Sequence, residues 1–586
     1  MSIGSSIKAI QDIMRKDDGV DGDAQRIGQL TWMLFLKVFD QREEEWEDNF
    51  EGRGETYVSP LPEACRWRNW AKYQTDSEGK SAPQIAASDL IAHVNETVFP
   101  GLRELSLDTI DDDESRAKAT VVREVFVDSN NYMKSGTLLL GVIEKLDEAI
   151  NFHDFKTRSN LGDVYEKILN DLRSAGNAGE FYTPRAVTHF MVQMVNPILK
   201  KRETVLDPAC GTGGFLTATI DHFIPQLTNK SSAEDKKAIE SCIHGIEKKQ
   251  LPHLLCTTNM MLHGIDVPSQ IEHKNTLAKA WNDWSRNEKV DCVITNPPFG
   301  GSEEDGVGTD FPADLRTRET SDMFLTLIVK KLLKDGGRGA IVLPDGNLFG
   351  EGVKAKVKQL LLEECNLHTI IRLPNGVFAP YTSIKTNLLF FTKGKPTDTI
   401  WYYEHPYPAG YKSYSKTKPI TLDEFQAEKL WWGKESNGFA DRVESEFAWK
   451  VDFKSRKLDA EAKATPHWDK AEALNNQAAD LERQAKETNK DTKKDTNKDT
   501  KQDLKEQADK LRQKAKDEQS AGDRIFWPIY NLDAKNPNSP EAKIHDPDAL
   551  LVKFKALSLE IAATEAQLKQ ELTAAFAHLV EGKSNE

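Results

Sequence analysis

The sequence predicts an open, doubly wound α/β sheet between a helical amino-terminal region and a helical carboxyl-terminal region. From about residue 200 to residue 395, short strands rich in β-branched residues alternate with segments of helical periodicity, which is typical of such sheets. Ligands of doubly wound sheets bind at the carboxyl ends of the strands. Four of these ends carry polar side chains, so we expect them to meet in one pocket: Asp207, Glu247, Asn275 and Asn296.

The length and composition indicate a folded protein of several domains. At 586 residues the chain is too long for one hydrophobic core, and it predicts roughly three or four domains. No apolar run approaches the roughly 20 residues needed to span a bilayer. The amino terminus has no basic segment followed by an apolar core, so no secretory signal is predicted. We therefore expect a cytoplasmic protein with no membrane partner.

Cysteine spacing and net charge restrict the kinds of site. The six cysteines form no C-x-x-C pair and have no histidine neighbour at ligand spacing, so neither a metal site nor a disulfide framework is predicted. The formal charge of −15 argues against binding nucleic acid by charge alone, because phosphate contacts need clustered Lys and Arg. If DNA is the substrate, we expect a partner to supply much of the grip.

Residues 1–155 read as mostly helical and carry no catalytic constellation, which favours a scaffolding role. A further helix over 161–172 ends at a glycine-rich break over 176–179, and a new helix starts at residue 185. The loop before that helix pairs two aromatic residues with Thr-Pro. Its residues are Glu180, Phe181, Tyr182, Thr183, Pro184 and Arg185.

The next motif is a glycine turn between a strand and a helix. A short apolar strand over 204–207 ends in Asp207, and a helix follows over 215–223. The turn differs from G-x-G-x-x-G and has no phosphate-binding Lys, so it suits a cofactor without phosphates. The candidate cofactor residues of this stretch are Asp207, Ala209, Cys210, Gly211, Thr212, Gly213, Gly214 and Phe215.

Two further strand ends extend the candidate cofactor site. The strand over 243–247 ends in Glu247, whose carboxylate can accept hydrogen bonds from two ribose hydroxyls. A helix over 251–263 and a short strand with its exit over 271–277 follow, and this exit carries Asn275.

The strand over 290–295 leads into Asn296, Pro297, Pro298 and Phe299. An exocyclic amine conjugated to a ring is a poor nucleophile, and it improves when acceptors take up its hydrogens. The Asn296 side-chain oxygen and the Pro297 carbonyl can do this, and Phe299 can stack on a base. The loop over 300–312 is either a lid over the site or a plain loop. Helices over 321–333 and 354–364 and strands over 340–343, 368–373 and 386–391 are predicted to complete the sheet.

The region after residue 400 changes character. Residues 401–455 predict added strands or an irregular extension. Matching apolar stripes at Leu474-Ala478-Leu481-Ala485 and Leu504-Ala508-Leu511-Ala515 predict an antiparallel helical hairpin with a Lys-Asp-Thr repeat at its tip. A last helix starts at Asp546-Pro547, and its apolar residues at roughly heptad intervals suit packing within its own domain or docking on another subunit.

Three motifs make the chain resemble the γ-type amino-group DNA methyltransferases, and most closely the modification subunits of type I restriction-modification systems. These motifs are Phe-Tyr-Thr-Pro-Arg over 181–185, Asp-Pro-x-x-Gly-Thr-Gly-Gly-Phe over 207–215 and Asn-Pro-Pro-Phe over 296–299. The resemblance implies a Rossmann-like methyltransferase domain over 156–400, between a helical domain over 1–155, the extension over 401–455 and a helical region for subunit contact over 456–586.

The resemblance also implies an activity and its partners. It implies methyl transfer from S-adenosylmethionine to adenine N6 in DNA, with a cofactor site formed by residues 180–185, 207–215 and Glu247 and a base site formed by residues 296–299. Asn275 stands at a position that is often Asp in such enzymes. The implied partners are double-stranded DNA, a specificity subunit and a second modification subunit, and the resemblance allows a restriction subunit.

Other functions fit parts of the sequence. Cytosine C5 methylation needs a nucleophilic Cys that usually follows Pro, and the chain has no Pro-Cys pair. Methylation of a protein glutamine would also use Asn-Pro-Pro-aromatic, but the large helical amino-terminal region disfavours it. A self-sufficient methyltransferase would need its own recognition domain, which the region after residue 400 does not resemble. A non-catalytic S-adenosylmethionine-binding adaptor would predict a damaged Asn-Pro-Pro-Phe, and the motif is intact here.

Overall fold

The computed structural model describes residues 3–75, 81–149, 165, 182–228, 232–487, 496–538 and 547–581. The chain divides into two compact units, Met1–Asn536 and Pro537–Glu586. Two predicted site residues, Glu180 and Phe181, lie outside the described residues, as does nearly all of the helix predicted over 161–172.

The amino-terminal region is helical, as the sequence predicts. Its elements are α1 (Ile3–Met14), α2 (Gly22–Glu51), α3 (Trp67–Trp70), β1 (Gln74–Thr75), β2 (Ser81–Ala82), α4 (Ala87–His93), α5 (Phe99–Arg103), α6 (Asp113–Phe126) and α7 (Gly136–Ala149). The middle of α2 is buried all round, so α2 forms the centre of this region. The same core includes Leu254, Leu255 and Met261, which belong to the sheet region. The helical region is therefore packed directly against the sheet region.

A nine-stranded sheet forms the centre of the first unit. Its strands are β3 (Val205–Asp207), β4 (Ile243–Glu247), β5 (Ile271–His273), β6 (Val290–Thr295), β7 (Leu333–Pro344), β8 (Cys365–Arg372), β9 (Thr386–Lys393), β10 (Thr399–Glu404) and β11 (Ala448–Asp452). Their order is β11-β10-β8-β9-β7-β6-β3-β4-β5. The five strands from β7 to β5 run parallel, whereas β9 is antiparallel to both neighbours. The predicted α/β class is thus confirmed.

Helices cover both faces of this sheet. They are α8 (Arg185–Val195), α9 (Gly214–Phe223), α10 (Ala233–Cys242), α11 (Gln250–Leu262), α12 (Thr320–Leu327), α13 (Asp345–Leu348), α14 (Val353–Glu364) and α15 (Gln426–Trp431). In β6, Cys292 and Ile294 pack in the core that contains Phe190 of α8. Val293 points the other way and packs in the core that contains Phe324 of α12. Because both faces are covered, β6 is apolar on both sides instead of alternating with polar residues.

One strand of the sheet is longer than the sequence predicts. β7 begins at Leu333 and takes in the glycine-rich stretch over 336–339, which was expected to lead into a strand over 340–343. This stretch fits a strand because Gly339 lies opposite Phe391 of β9, whose ring occupies the space of a side chain. β5 ends at His273, so Asn275 lies in the exit after that strand. In the extension after residue 400 the structure has added strands, because β10 pairs with β8 and β11 pairs with β10.

The predicted helical hairpin is present in the first unit. It consists of α16 (Phe453–Glu487) and α17 (Thr496–Phe526). Ala478 of α16 and Ala508 and Ala515 of α17 are almost completely buried, so the predicted small-residue stripes form the contact between the helices. Arg512 pairs with Glu482 across it at 2.8 Å. Residues 488–495, which hold part of the Lys-Asp-Thr repeat, lie outside the described residues.

The second unit contains α18 (Pro547–Glu581), which begins with the predicted proline. Several of its apolar side chains are exposed, among them Phe554, Leu557 and Ile561. Among all the helices that the structure describes, none has the length and apolar character that a membrane span requires.

The packing of β7 against β9 leads to a stability prediction. A Cβ at Gly339 would lie 2.3 Å from two ring carbons of buried Phe391. We expect Gly339→Ala to lower the free energy of unfolding by about 1–3 kcal/mol, because the ring has to shift inside a packed core. Gly346→Ala is the matched control, because a Cβ there meets no atom within 4 Å. Thermal unfolding of both variants tests this, and equal midpoints would contradict it.

Candidate functional site

A cavity of about 290 Å³ opens where the parallel strands end. Many of the predicted site residues line it, namely Thr183, Asp207, Ala209, Cys210, Gly211, Gly214, Phe215, Glu247, Asn275, Asn296 and Pro298. β3 pairs in parallel with both β4 and β6, and β4 pairs with β5, so their carboxyl ends lie at one edge. The glycine turn and the Asn-Pro-Pro loop therefore face the same space.

The turn after β3 has a backbone that requires glycine. Gly211 has φ 54° and Gly213 has φ 82°, both in the left-handed region. A Cβ at Gly213 would lie 2.8 Å from Cys256 Sγ, so the turn also packs closely on α11. The N–H of Gly213 donates to the carbonyl of Cys210 at 2.8 Å. These constraints make a narrow backbone cradle on the cavity wall.

Two side chains that the sequence prediction missed hold this cradle in place. Asn259 Nδ2 donates to the Thr212 carbonyl at 3.0 Å. Thr276 Oγ1 donates to the Pro208 carbonyl at 2.6 Å. Both donor side chains, those of Asn259 and Thr276, are buried. A run of polar residues, Thr257, Thr258 and Asn259, inside the predicted helix over 251–263 was a signal in the sequence that this helix has buried hydrogen-bond partners.

Asp207 is buried and connects the two central strands. Its Oδ1 accepts hydrogen bonds from Thr295 Oγ1 at 2.7 Å and from the Ala209 N–H at 3.1 Å. Burial raises the pKa of Asp207 to about 7, and the nearby Glu247 carboxylate adds to this shift. The residue is therefore close to half ionised at neutral pH.

Glu247 is fixed by backbone donors at the end of β4. Its Oε2 accepts from the Gly211 N–H at 2.9 Å, and its Oε1 accepts from the Lys249 N–H at 2.7 Å. Burial raises the pKa of Glu247, and these backbone hydrogen bonds oppose the shift. Each oxygen keeps a second lone pair for a ligand hydroxyl.

Asn275 caps a short turn after β5. Its Oδ1 accepts from the Leu277 N–H at 3.0 Å, and its Nδ2 donates to Glu303 Oε2 at 3.1 Å. Lys248 Nζ contacts the same Glu303 oxygen at 3.0 Å. The side chain of Asn275 lines the cavity, but both of its polar groups have protein partners.

Asn296 reaches the cavity from the end of β6 and contacts the loop before α8. Its Nδ2 donates to Thr183 Oγ1 at 3.0 Å. Its Oδ1 is buried and has no hydrogen-bond partner among the described residues. A buried carbonyl oxygen without a donor is uncommon in folded proteins, because its desolvation is not compensated. This oxygen is therefore a candidate to accept a hydrogen from a ligand.

The residues after Asn296 have different surroundings. Pro297 is buried and Pro298 is exposed, and only Pro298 lines the cavity. The ring of Phe299 is half-buried and meets the ring of Phe378 edge to face, with centroids 6.1 Å apart. The structure thus places Phe299 beside the cavity and outside its lining.

Among the described residues of the loop before α8, Thr183 lines the cavity. Tyr182 is buried in the amino-terminal core, and Pro184 precedes the first turn of α8. Arg185 Nη2 lies 3.9 Å from Asp221 Oδ2. Among the predicted residues that the structure describes, those that do not line the cavity are Tyr182, Pro184, Arg185, Thr212, Gly213, Pro297 and Phe299.

Pro208, within the predicted stretch over 207–215, also lines the cavity. The remaining wall comes from residues that were not predicted, namely Lys248, Lys249, Thr276, Gly301, Ser302, Glu303, Thr320 and Phe324. The loop after Gly300 supplies three of them. Its start is held in place, because the Thr320 N–H donates to the Gly301 carbonyl at 3.1 Å. Phe311 and Leu315 of this loop are buried in the core beneath it. The loop is thus an ordered wall of the site.

Two family models match the chain. The N-6 DNA Methylase model matches residues 156–475, and the HsdM N-terminal domain model matches residues 3–146. Among solved structures, a chain of a type I R-M system has a TM-score of 0.66 and 31% identity, and the match covers 97% of this chain and 98% of that one. A modification subunit from Vibrio vulnificus YJ016 has a TM-score of 0.63 and 38% identity, with 77% of this chain and 92% of that one covered.

Curated relatives agree with these matches over most of the chain. The type I restriction enzyme EcoEI methylase subunit of Escherichia coli is 48% identical over 577 residues, which is 98% of this chain and 99% of the relative. The EcoKI methylase subunit of Escherichia coli K12 is 28% identical over 450 residues, which is 73% of this chain and 75% of the relative. The chain belongs to the N-6 DNA Methylase family and, within it, to the methylase subunits of type I restriction enzymes.

Proposed function

We propose that this subunit transfers a methyl group from S-adenosylmethionine to N6 of an adenine flipped out of double-stranded DNA, with a partner subunit that selects the sequence. The observation that carries the proposal is the buried Oδ1 of Asn296, which has no donor among the described residues and lies on a cavity shared with the glycine turn. A ligand amine at this oxygen would compensate its burial.

The residues of the cavity fit the proposed cofactor. The glycine turn offers backbone without side chains, and no phosphate-binding Lys follows it. Glu247 keeps a lone pair on each oxygen for the two hydroxyls of a ribose. Asp207 offers a buried carboxylate to a cationic ligand. When bound, S-adenosylmethionine supplies a methyl group on a positively charged sulfur.

The order of the strands gives the cofactor a direction. Along the sheet edge, Asn296 follows β6, the glycine turn follows β3, Glu247 ends β4 and Asn275 follows β5. The methyl donor has to face the acceptor amine, so Asn296 would lie nearest the sulfur of a bound cofactor. Glu247 would then hold its ribose, and the residues around Asn275 would hold its purine.

Asn296 polarises the acceptor amine in this proposal. Its Oδ1 and the Pro297 carbonyl accept the two hydrogens of adenine N6, which draws the nitrogen toward sp³ geometry and frees its lone pair. Thr183 accepts the hydrogen bond from Asn296 Nδ2 and so fixes which way the amide oxygen points. The transfer would be an in-line displacement that needs orientation and no covalent enzyme intermediate. The bond from N6 to the methyl carbon would form as the bond from that carbon to sulfur breaks, S-adenosylhomocysteine would leave, and the methylated N6 would lose a proton to solvent.

The target amine is paired inside duplex DNA, so the base has to leave the stack to reach Asn296. Phe299 stacks on the flipped base in this proposal, and its ring is supported edge to face by Phe378. The same proposal assigns sequence selection to a specificity subunit, with a second modification subunit in the complex. We propose that the exposed apolar side chains of α18 contact the specificity subunit.

One transfer experiment tests this function. The full-length chain is incubated with labelled S-adenosylmethionine and duplex DNA, alone and with a co-purified specificity subunit. We expect label in adenine N6 only when the specificity subunit is present. Label in DNA without any partner would support a self-sufficient enzyme, and label in protein would contradict the proposal.

Substitution of Asn296 separates chemistry from binding. We expect Asn296→Ala to lower kcat by at least about a hundredfold, because the acceptor for the target amine is lost, while the affinity for S-adenosylmethionine stays within about twofold. Asn296→Asp keeps an acceptor oxygen and is the matched variant, so it should retain more activity. Single-turnover transfer rates and calorimetric titration check both quantities. Equal loss of transfer and of cofactor binding in Asn296→Ala would show that the residue is structural.

The raised pKa of Asp207 predicts pH-dependent cofactor binding. The free site carries a mostly protonated Asp207 at pH 6 and a mostly ionised one at pH 8, because its pKa is about 7. A cationic ligand favours the carboxylate, so binding releases a proton and strengthens as pH rises through 7. We expect the affinity for S-adenosylmethionine to rise by about tenfold from pH 6 to pH 8 through this group.

Asp207→Asn is the control for this titration. Asn keeps an Oδ1 acceptor for Thr295 and Ala209. Any titration of the ligand itself is the same for both proteins. We expect its affinity to be lower and its pH dependence to be smaller than that of the unmodified chain. Calorimetric titrations of both proteins give the comparison, and identical slopes against pH would exclude Asp207 as the group that titrates.

A further inference from the structure

The carboxylate of Glu303 lines the cavity beside Asn275. Its side chain is 11% exposed and belongs to the loop after β6. Its Oε2 accepts from Lys248 Nζ at 3.0 Å and from Asn275 Nδ2 at 3.1 Å. Two partners from two different strand ends therefore hold this carboxylate in one place.

The backbone beside Glu303 is fixed as well. Ser302 pairs with Glu319 in an antiparallel bridge, and the Glu303 N–H donates to the Arg318 carbonyl at 3.4 Å. The backbone that carries this carboxylate is thus held against the residues that precede α12. A hydrogen-bonding group held in this way needs little reorganisation when a ligand binds.

Asn275 has one oxygen to offer the cofactor, and that oxygen already has a protein donor. Its Oδ1 accepts from the Leu277 N–H and keeps one lone pair, while its Nδ2 donates to Glu303. Glu303 offers a freer acceptor, because its Oε1 has no protein hydrogen-bond partner among the described residues and the side chain lines the cavity.

The proposed direction of the cofactor places its purine at this end of the cavity. The exocyclic amine of adenine donates hydrogen bonds, and its lone pair is conjugated with the ring, so it needs an acceptor. We propose that Glu303 Oε1 accepts a hydrogen bond from the exocyclic amine of the cofactor's purine and makes the site selective for adenine. This inference rests on the proposed function. Lys248 and Asn275 position Glu303 for this role.

A comparison of two ligands against three variants tests this assignment. The probes are S-adenosylhomocysteine and its 6-deamino analogue, in which hydrogen replaces the exocyclic amine. We expect the unmodified chain to bind S-adenosylhomocysteine at least about tenfold more tightly than the analogue, because loss of the amine leaves the carboxylate without its donor. In Glu303→Ala the ratio should fall to within about twofold. Glu303→Gln keeps an uncharged acceptor and should give an intermediate ratio.

Glu304→Ala is the matched control for these measurements. Glu304 carries the same charge and reaches the same Lys248 at 3.7 Å, but its side chain is 83% exposed. We expect this variant to keep the ratio of the unmodified chain. A thermal unfolding midpoint for every variant shows that each one is folded.

The outcomes separate this assignment from the proposed function. If Glu303→Ala weakens both ligands by the same factor, or leaves the ratio unchanged, Glu303 has a structural role and the assignment is overturned. If the unmodified chain does not bind S-adenosylhomocysteine, the proposed function itself fails, and the assignment fails with it.

Discussion

The buried hydrogen bond from Thr295 to Asp207 sets the geometry of the whole site. At 2.7 Å it joins the last residue of β6 to the last residue of β3. The glycine turn starts directly after Asp207, and Asn296 directly follows Thr295. One side-chain contact therefore adds to the backbone pairing of β3 with β6 in setting the separation between the glycine turn and the Asn296 amide, which are the proposed cofactor and base sites.

This arrangement has a cost in the free protein. Asp207 and Glu247 are both buried at one edge of the sheet, and burial disfavours the charged form of each. Backbone N–H groups of Ala209, Gly211 and Lys249 offset part of this penalty. The rest is relieved when a positive charge enters, so the site is prepared for a cationic ligand before that ligand arrives.

The sequence predicted the features that depend on local patterns. Each of these features, a strand end, the glycine turn or Asn-Pro-Pro, is a short contiguous stretch of sequence. Parallel strand pairing brings these stretches to one edge of the sheet. Features that depend on distant contacts were missed. Asn259 and Glu303 belong to a helix and a loop whose approach to the cavity depends on tertiary packing. β10 and β11 fall in the stretch for which the sequence predicts added strands or an irregular extension, and their pairing beside β8 depends on tertiary packing as well.

The charge of the cavity fits the proposed division of roles between subunits. The carboxylates of Asp207, Glu247 and Glu303 would favour the proposed cationic cofactor, but ionised carboxylates repel a phosphate backbone that approaches the same mouth. Within the cavity lining, the cationic side chains are Lys248 and Lys249, and Lys248 is already paired with Glu303. With a net charge of −15, the chain has little long-range attraction for DNA. If the proposed specificity subunit holds the DNA, this pocket can remain acidic, and one complex would then hold a cation and a polyanion side by side.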